Sequence, residues 1–550
     1  MKFLDELKRD FKGEIDTSEM AINKYSRDAS LFRVRPELVV FPKDVEDLKV
    51  LVASVNRAQE RRERVSLTAR SAGTDMSGGP LTESVVVEFT KYFNNLREVG
   101  DNSATVEPGV YYRNFEKETL KKNLLLPSYP ASRELCTVGG MVANNSGGEK
   151  TLKYGKTEKY VEELKVILSD GKEYFFKKLS ETELKSKMAQ KDFEGEVYKK
   201  TFKLINENYE LLQSAKPQVT KNSSGYFLWN VLNRQEKTFD LTKLLVGSQG
   251  TLGLITEIKF KLIKPKPASR LFVIFLKNLD PLADITKRIL KYNPESFESY
   301  DDNTFKLAIK FFPEILSQIK GHIFKLILGL IPEALMVLTG GFPKLVLLAE
   351  FTGDTEEEAE GQAKIAEEEI KKAYPHLKMR ATKSVEETEQ FWLIRRESFS
   401  LLSKHVRGLR TAPFIDDFSL RAEFLPEFLP KLYTILSKYK LLYTVAGHVG
   451  DGNFHIIPLM DLTDPKTKDV IIDLSQQVYD LVLSYKGSIT GEHNDGLIRS
   501  PFLKQEFGEK VYKLFEEVKY IFDHKNIFNP GKKVNSSLDY AMGHLDSEKK

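Results

Sequence analysis

Cysteine is almost missing from this chain of 550 residues, which contains only Cys136. A disulfide within the chain, a zinc site built from several thiolates and an iron–sulfur cluster held by this chain alone are therefore excluded. The chain also lacks an excess of charge of either sign, because its 83 lysines and arginines nearly balance its 79 aspartates and glutamates, for a formal net charge of +4. So small an excess does not indicate a nucleic-acid-binding protein. We expect a globular protein of about two to four domains in a reducing, cytoplasmic compartment.

A signal peptide is not expected at the start of the chain. Phe3, Leu4, Leu7 and Phe11 recur at helical spacing with charges between them, which predicts an amphipathic helix.

Within one long apolar segment, residues 311–343, the stretch 326–343 carries Glu333 as its only charge and approaches the length of a membrane span. Pro332, Glu333 and Gly340 interrupt this stretch, and Lys325 and Lys344 flank it. Three interpretations stay open: buried helices of a cap domain, a surface that docks on a membrane or a partner, and a true span.

Two common nucleotide signatures are absent. No Gly-x-Gly-x-x-Gly follows a predicted strand, so a Rossmann dinucleotide fold is not indicated. Gly155-Lys156-Thr157 resembles the end of a phosphate-binding P-loop, but Lys150 stands where that motif requires its first glycine.

Short strands and helices alternate along the chain and predict an α+β fold. Residues 38–41 form a β-rich run, and Asp44 follows as the cap of a helix. Residues 164–168 and 173–176 predict a hairpin with its turn at Asp170-Gly171. Further strands are predicted at residues 65–68, 85–89, 105–107, 244–246, 252–264, 271–276, 345–351 and 487–490, and further helices at 284–292 and 355–373.

Three glycine-rich clusters occur in the first half, each beside a predicted strand. They are residues 70–79, residues 137–148 and residues 247–253. Glycines allow positive φ and let backbone N–H groups approach a diphosphate closely. One such cluster is as typical of a structural turn as of a phosphate site, but three together favour a large phosphate-bearing cofactor.

Histidines cluster in the second half. His448 and His455 flank a Gly-Asp-Gly-Asn turn between apolar runs, which predicts a hairpin with the imidazoles facing each other. Glu492 and His493 follow the predicted strand at 487–490. Two imidazoles and a carboxylate would make an open divalent-metal site, whereas the alternative is a set of polar core residues.

Arg395 belongs to the run Phe391–Glu397, in which one arginine exceeds what an amphipathic helix needs. A guanidinium binds a carboxylate through two hydrogen bonds, which predicts recognition of an acidic substrate. A surface arginine paired with Glu397 is the alternative.

The order and the residues of the glycine clusters resemble those of the vanillyl-alcohol-oxidase type flavoproteins. Within that family the chain is most similar to the FAD-linked D-2-hydroxyacid dehydrogenases that act on D-lactate and glycolate. The resemblance covers residues 25–531. It implies noncovalent FAD, because Thr74 stands where some relatives carry a linking histidine. The cofactor-binding residues that it implies are Arg70, Ser71, Ala72, Gly73, Thr74, Ser77, Gly78, Gly79, Thr137, Gly139, Gly140, Ala143, Asn144, Gly147, Gly148, Ile255 and Asn529.

The same resemblance implies roles in the second half. His448, His455 and Glu492 match metal ligands for zinc, manganese or iron, His493 matches the catalytic base, and Arg395 matches a substrate-binding arginine.

Three departures from the family pattern concern substrate and activity. Relatives that accept a dicarboxylate carry a lysine where Ile415 stands and an asparagine where Ile457 stands, which favours a monocarboxylate here. Asn494 and Asp495 break the usual Gly-Glu-His-Gly pattern, and an acid beside the base is expected to raise the pKa of His493.

The implied architecture is a two-part FAD-binding domain of the p-cresol methylhydroxylase (PCMH) type with an α+β cap built on an antiparallel sheet. We expect an N-terminal helical extension at 1–30, the FAD domain at 31–266, the cap at 267–500 and a C-terminal segment at 501–550 that returns to the FAD domain.

The implied activity is oxidation of a small D-2-hydroxy acid, with electrons passed to a quinone or an electron-transfer protein, in the cytoplasm or peripherally on the inner face of a membrane. A non-catalytic flavin electron-transfer subunit and an ether-lipid synthase of the same fold are the alternatives.

Overall fold

The structure, a computed structural model, describes residues 2–302, 304, 306, 341–393, 395 and 408–548. Its strands, in chain order, are β1 Glu14–Asp16, β2 Leu38–Phe41, β3 Leu67–Arg70, β4 Val85–Glu88, β5 Leu96–Val99, β6 Ser103–Val106, β7 Val161–Ile167, β8 Glu173–Lys177, β9 Leu179–Ser180, β10 Leu232–Asn233, β11 Thr238–Phe239, β12 Leu254–Lys261, β13 Ala268–Leu276, β14 Ser296–Asp301, β15 Leu345–Gly353, β16 Lys378–Ala381, β17 Arg410–Thr411, β18 Phe418–Ser419, β19 Leu442–His448 and β20 Asn453–Met460.

Helices connect and cover these strands. In chain order they are α1 Lys2–Asp10, α2 Glu19–Tyr25, α3 Val45–Glu60, α4 Tyr112–Leu120, α5 Val138–Asn144, α6 Thr151–Tyr154, α7 Glu181–Met188, α8 Phe193–Glu207, α9 Tyr209–Ala215, α10 Thr242–Leu245, α11 Leu282–Leu290, α12 Glu356–Ala373, α13 Leu425–Leu436, α14 Lys466–Ser484, α15 Gly496–Arg499, α16 Leu503–Phe522 and α17 Leu538–Gly543.

The first half contains a four-stranded sheet in the order β1-β2-β4-β3, in which β2, β4 and β3 run parallel. The predicted strand at 38–41 and the predicted helix cap are confirmed, because the side chain of Asp44 accepts a hydrogen bond from the backbone N–H of Asp47. Helix α3 buries Leu48, Leu51 and Val55 against this sheet. The first glycine cluster leaves the carboxyl end of β3, where a parallel sheet commonly places its ligands.

A second, antiparallel sheet follows in the order β5-β6-β12-β7-β8. It contains the predicted hairpin, since β7 pairs with β8 across a turn at which Gly171 has a φ of +82°. The prediction of a strand at residues 244–246 is wrong, because Thr242–Leu245 is a short helix. A three-residue apolar run has too little periodicity to separate the two conformations.

The second half is built on an antiparallel sheet in the order β16-β13-β15-β14-β19-β20-β17, with β18 also paired to β20. Helices α11, α12, α13 and α14 pack on one face of it. The predicted histidine hairpin is confirmed: His448 ends β19 and pairs with Asn453 at the start of β20. The predicted strand at 487–490 is wrong, since Ser488 makes only an isolated bridge to Ser419.

The C-terminal part of the chain returns to the first half, as the family resemblance implies. Phe528 lies parallel to Leu67 of β3, and the backbone N–H of Asn529 donates to the carbonyl of Leu67. The apolar segment lies almost wholly outside the described residues. Among the residues that are described, no helix combines the length and the apolar character that crossing a membrane requires.

Candidate active site

The three glycine clusters meet around one cleft of about 1340 Å³, a volume that includes its open mouth. Glu492 and His493 from the second half line the same cleft. The predicted cofactor residues that line it are Arg70, Ser71, Gly73, Thr74, Gly79, Gly139, Gly140, Ala143, Asn144, Gly147 and Ile255. Ala72, Ser77, Gly78, Thr137, Gly148 and Asn529 are not part of the lining, although they belong to the same loops or support them.

The first glycine loop has the features of an anion site. Among the hydrogen bonds of the described chain, the backbone N–H groups of residues 71–74 have no acceptor. Asp75 shapes the loop, because its carboxylate accepts hydrogen bonds from the backbone N–H groups of Ser77 and Gly79. A row of free N–H groups at the end of a strand suits a diphosphate, so this loop fits the FAD that the family resemblance implies.

Arg70 has a different partner from the one that its motif predicts. Its guanidinium donates one hydrogen bond to the carbonyl of Tyr25 at 3.3 Å and another to the carbonyl of Arg27 at 2.6 Å. Gly73 makes this arrangement possible, because a Cβ there would lie 2.2 Å from Nη2 of Arg70. Arg70 thus anchors the N-terminal segment to the loop, and its contact with a diphosphate stays a prediction.

Some predicted cofactor residues support the cleft from behind. A Cβ on Gly148 would lie 2.2 Å from the carbonyl oxygen of Tyr129, so packing alone requires a glycine there. The side-chain amide of Asn529 donates to the carbonyls of Gly79 and Gln249. It thereby ties the first cluster to the third.

Neither Thr74 nor Cys136 offers an evident covalent link to a flavin. Both line the cleft. Burial raises the pKa of the Cys136 thiol to about 12, which keeps it protonated and a poor nucleophile. Cys136 therefore serves as a small buried residue of the cleft lining.

The histidines of the second half converge on one carboxylate oxygen. Oε1 of Glu492 lies 3.2 Å from Nε2 of His448, 3.3 Å from Nε2 of His455 and 3.8 Å from Nε2 of His493. The imidazoles of His455 and His493 are stacked, with ring centroids 5.0 Å apart. The structure thus brings the three predicted metal ligands and the predicted base together.

Each imidazole also contacts a buried carboxylate through its other nitrogen. Nδ1 of His448 lies 2.5 Å from Glu298, while Nδ1 of His455 and Nδ1 of His493 lie 3.0 and 2.6 Å from the two oxygens of Asp416. Carboxylates in this position fix the imidazole that binds a metal and turn its Nε2 toward the site. This donor chemistry fits a divalent metal held by His448, His455 and Glu492.

A different grouping, Asp417, His455, Glu492 and His493, has ligand atoms within 4.8 Å of one another. The carboxylate of Asp417, however, already accepts hydrogen bonds from the backbone N–H groups of Glu492 and His493, from the Thr490 hydroxyl and from the Asn453 amide. We therefore favour the set that contains His448.

Lys221 reaches this cluster from the first half. Its Nζ lies 2.9 Å from Oε2 of Glu492 and 3.2 Å from the carbonyl of Gly148, and its side chain is fully buried. Since Lys221 holds Oε2, the other oxygen of Glu492 faces the imidazoles. Lys221 also links the carboxylate of Glu492 to the second glycine cluster.

These contacts shift the pKa values of His455, His493 and Glu492. Burial alone would lower the pKa of His455, but Asp416 and Glu492 outweigh it and raise that pKa to about 10. Burial also opposes a raised pKa at His493, and Asp416 and Asp417 again prevail. Burial would raise the pKa of Glu492, yet Lys221 and His448 hold it well below its usual range. Near neutral pH these shifts favour a protonated His455 beside an ionised Glu492.

Asp495 does not act on His493 as the sequence suggested. Its carboxylate lies 2.7 Å from Nζ of Lys533 and accepts from the backbone N–H of Gly225. The acid that contacts His493 is Asp416. Asn494 points away as well, donating to the carbonyls of Asn144 and Gly247.

Arg395 lies beside the cluster, with its Nη2 3.1 Å from Glu298. Glu298 thus contacts both the predicted substrate arginine and His448. Ile457 follows His455 by two positions on β20 and so lies on the same face of the strand. Ile415 instead packs in the apolar core of the cap, so its identity gives no direct information about the substrate.

Sequence reasoning missed Glu298, Asp416 and Lys221. Glu298 stands in β14, whose residues are all buried, but its sequence Ser-Phe-Glu-Ser-Tyr-Asp mixes polar and apolar residues and so does not reveal that burial. Asp416 is the first of two adjacent acids between apolar residues. Lys221 had no local signal that separates it from a surface lysine.

Two family models match this chain. Residues 36–175 match a family described as FAD binding domain, and residues 265–533 match one described as FAD linked oxidases, C-terminal domain.

Named relatives fall into two groups by length. The chain is 28% identical to D-2-hydroxyglutarate dehydrogenase of Pseudomonas putida, covering 98% of this chain and 52% of the relative, and 26% identical to that of Escherichia coli, covering 100% and 53%. It thus spans about half the length of these proteins. It is 27% identical to glycolate oxidase subunit GlcD of Bacillus subtilis, covering 92% of this chain and 91% of the relative.

Solved structures share the fold. p-Cresol methylhydroxylase aligns with a TM-score of 0.67 at 15% identity, covering 98% of this chain and 97% of that one. An alkyldihydroxyacetonephosphate synthase aligns with a TM-score of 0.64 at 14% identity, covering 96% and 84%. The architecture is therefore the PCMH-type FAD-binding fold that the sequence resemblance implied.

Proposed function

Because the chain belongs to the FAD-linked oxidases, we propose that it oxidises a small D-2-hydroxy acid, D-lactate or glycolate, to the 2-oxo acid. The observation that carries the proposal is that Glu492 and His493, which belong to the imidazole cluster, line the same cleft as the three glycine clusters. A candidate acid–base group and the predicted cofactor loops thus line one cleft. FAD, when bound, supplies the hydride acceptor.

The residues of the cluster take separate roles in this proposal. His448, His455 and Glu492 hold a divalent metal, zinc, manganese or iron, which when bound would lower the pKa of the substrate hydroxyl. His493 takes the hydroxyl proton at Nε2, and its Nδ1 stays on Asp416. Arg395 binds the substrate carboxylate with its guanidinium. A quinone or an electron-transfer protein then accepts the electrons.

The residues near His455, among them Ile457 on the same strand, favour a monocarboxylate over 2-hydroxyglutarate as the substrate. Ile457 is apolar, Lys221 is paired with Glu492, and Arg395 is assigned to the first carboxylate of the substrate. An ionised carboxylate without a partner is costly to bury. The named relatives include enzymes for both kinds of substrate, so experiment must separate them.

Anaerobic addition of D-lactate or glycolate is expected to bleach the flavin spectrum. D-2-hydroxyglutarate should react more slowly by at least about tenfold, since its second carboxylate lacks a partner, and L-lactate serves as the control. Bleaching by D-2-hydroxyglutarate alone would overturn the choice of substrate but not the class of reaction. Bleaching by none of a panel of 2-hydroxy acids would favour an electron-transfer subunit or an ether-lipid synthase.

The purified protein is expected to be yellow and to release all of its FAD on denaturation. Thr74 offers no linking atom, and the Cys136 thiol stays protonated because burial raises its pKa to about 12. Acid precipitation followed by absorption spectra of pellet and supernatant checks this. Flavin that remains with the pellet would contradict noncovalent binding, and the Cys136→Ser variant would then tell whether the thiol is the link.

Metal affinity is expected to rise with pH. Without metal the pKa of His455 is raised to about 10, so His455 is protonated below that pH and must lose its proton before Nε2 can bind a metal. Each displaced proton makes the apparent affinity about tenfold higher per pH unit until that pKa is passed. Competition with a chromogenic chelator between about pH 6 and pH 8 measures the slope, and a flat profile would contradict the assignment of His455.

A further inference from the structure

One carboxylate connects two imidazoles that have different proposed roles. Asp416 is fully buried, and its Oδ1 lies 3.0 Å from Nδ1 of His455 while its Oδ2 lies 2.6 Å from Nδ1 of His493. The two rings are stacked with an angle of 23° between their planes. Both Nε2 atoms then point toward Glu492. A single side chain thus sets the orientation of two rings.

The backbone around Asp416 is itself held in place. The buried guanidinium of Arg499 donates to the carbonyl oxygen of Asp416 at 2.5 Å and to that of Asn494 at 3.1 Å. Asp417 has a φ of +76°, which a residue other than glycine seldom adopts. At this turn the two adjacent acids have different partners. Asp417 binds the backbone N–H groups of Glu492 and His493, whereas Asp416 binds the imidazoles of His455 and His493.

We propose that Asp416 is a positioning residue that fixes a proton on Nδ1 of both His455 and His493, so that Nε2 carries the lone pair whenever either imidazole is neutral. The inference rests on the proposed function, which makes His455 a metal ligand and His493 the base. It goes beyond that function because it makes metal binding and proton transfer depend on one shared carboxylate.

The chemistry of the carboxylate explains why both rings adopt one tautomer. An ionised carboxylate only accepts hydrogen bonds, so each Nδ1 that faces it must carry a proton. In a neutral imidazole the lone pair is then on Nε2. A metal ligand needs that lone pair to coordinate, and a base needs it to take a proton. When His493 becomes an imidazolium, Asp416 also stabilises the new charge.

Asp416→Asn tests this directly, because an amide has one acceptor atom and one donor group. The donor cannot face an Nδ1–H, so one imidazole must move its proton to Nε2. If the amide oxygen faces His493, metal affinity is expected to fall by about 10–100-fold. If it faces His455, metal affinity is kept and the limiting rate of anaerobic flavin reduction falls by about 10–100-fold, with little change in KM.

The matched control is Asp495→Asn, which makes the same chemical change two positions from His493 in sequence. Asp495 is fully buried but pairs with Lys533, so this variant is expected to lower the unfolding temperature while metal affinity and the rate of flavin reduction stay at wild-type values. An equal loss of metal or rate in both variants would overturn the specific role of Asp416.

Metal titration of the FAD-loaded protein requires no turnover. It therefore separates a failure of the proposed function from a failure of the role of Asp416. If the wild type binds no metal and its flavin is not reduced, the proposed function has failed. If the wild type does both and Asp416→Asn is unchanged in both, only the role of Asp416 is overturned. If Asp416→Asn does not retain FAD, the Asp416→Glu variant is tested in its place. Glutamate keeps a carboxylate acceptor but displaces both imidazole rings. Unchanged metal affinity and an unchanged rate of flavin reduction in this variant would refute the proposal.

Discussion

Replacing His493 by alanine is expected to slow anaerobic flavin reduction by about 10²–10⁴-fold, the usual contribution of a positioned acid–base group. His493 lines the cleft, and its Nε2 lies 3.8 Å from Oε1 of Glu492, farther than the other two imidazoles. In the proposed mechanism the imidazole therefore faces the substrate and is not a metal ligand. FAD occupancy and metal content should stay at wild-type values. Stopped-flow spectroscopy together with metal analysis measures both quantities on one preparation.

His376→Ala is the control for this experiment, because His376 is exposed and lies outside the cluster. It should leave flavin reduction, FAD and metal unchanged. A His493→Ala variant that reduces its flavin at the wild-type rate would refute His493 as the base. Loss of metal from the same variant would instead show that His493 is a ligand, as the grouping with Asp417, His455 and Glu492 would require.

Replacing His455 by alanine is expected to remove metal and activity together. His455 offers Nε2 at 3.3 Å from Glu492, and its Nδ1 is held by Asp416. Loss of a ligand should weaken metal binding by more than the roughly 10–100-fold that is typical of a lost partner behind a ligand. Excess metal is expected to restore part of the activity, whereas the activity of His493→Ala should not respond to metal.

Chelation of the wild type provides an independent check on the same site. Removal of the metal should abolish turnover while FAD stays bound, since the cluster and the glycine loop of residues 71–79 are separate parts of the cleft. Turnover that survives chelation, in a wild type that contains no divalent metal, would contradict the metal site. His448 and His455 would then be structural residues of the hairpin, and His493 would act with Asp416 alone.

Much of the local structure could be predicted because its determinants are neighbours in sequence. The Asp44 cap, the hairpin of β7 and β8, and the hairpin that holds His448 and His455 depend on contacts within a few residues. The strands proposed at 244–246 and 487–490 failed for a related reason. Runs this short have no periodicity, and packing decides whether they become a helix, a strand or an irregular segment.

The sequence by itself also determined which residue types could build the site. Glycine clusters beside strands indicated a phosphate-bearing cofactor, and two histidines around a turn indicated paired imidazoles. The sequence did not determine the orientation of the side chains. Arg70 donates to the carbonyls of Tyr25 and Arg27, and Asp495 pairs with Lys533. A side chain at the edge of a loop can face either way, and only its surroundings in space select one.

Only the tertiary structure decided which groups complete the cluster. Glu298 meets His448 across 150 positions, Asp416 meets His493 across 77, and Lys221 meets Glu492 across 271. Glu298 reaches its partner because β14 pairs with β19, and Lys221 because the two halves of the chain pack against each other. Buried charges are stable only where an opposite charge or a hydrogen-bond partner meets them. The pattern of a single strand or loop does not show that partner, so the sequence could name the predicted ligands but not the residues that contact them.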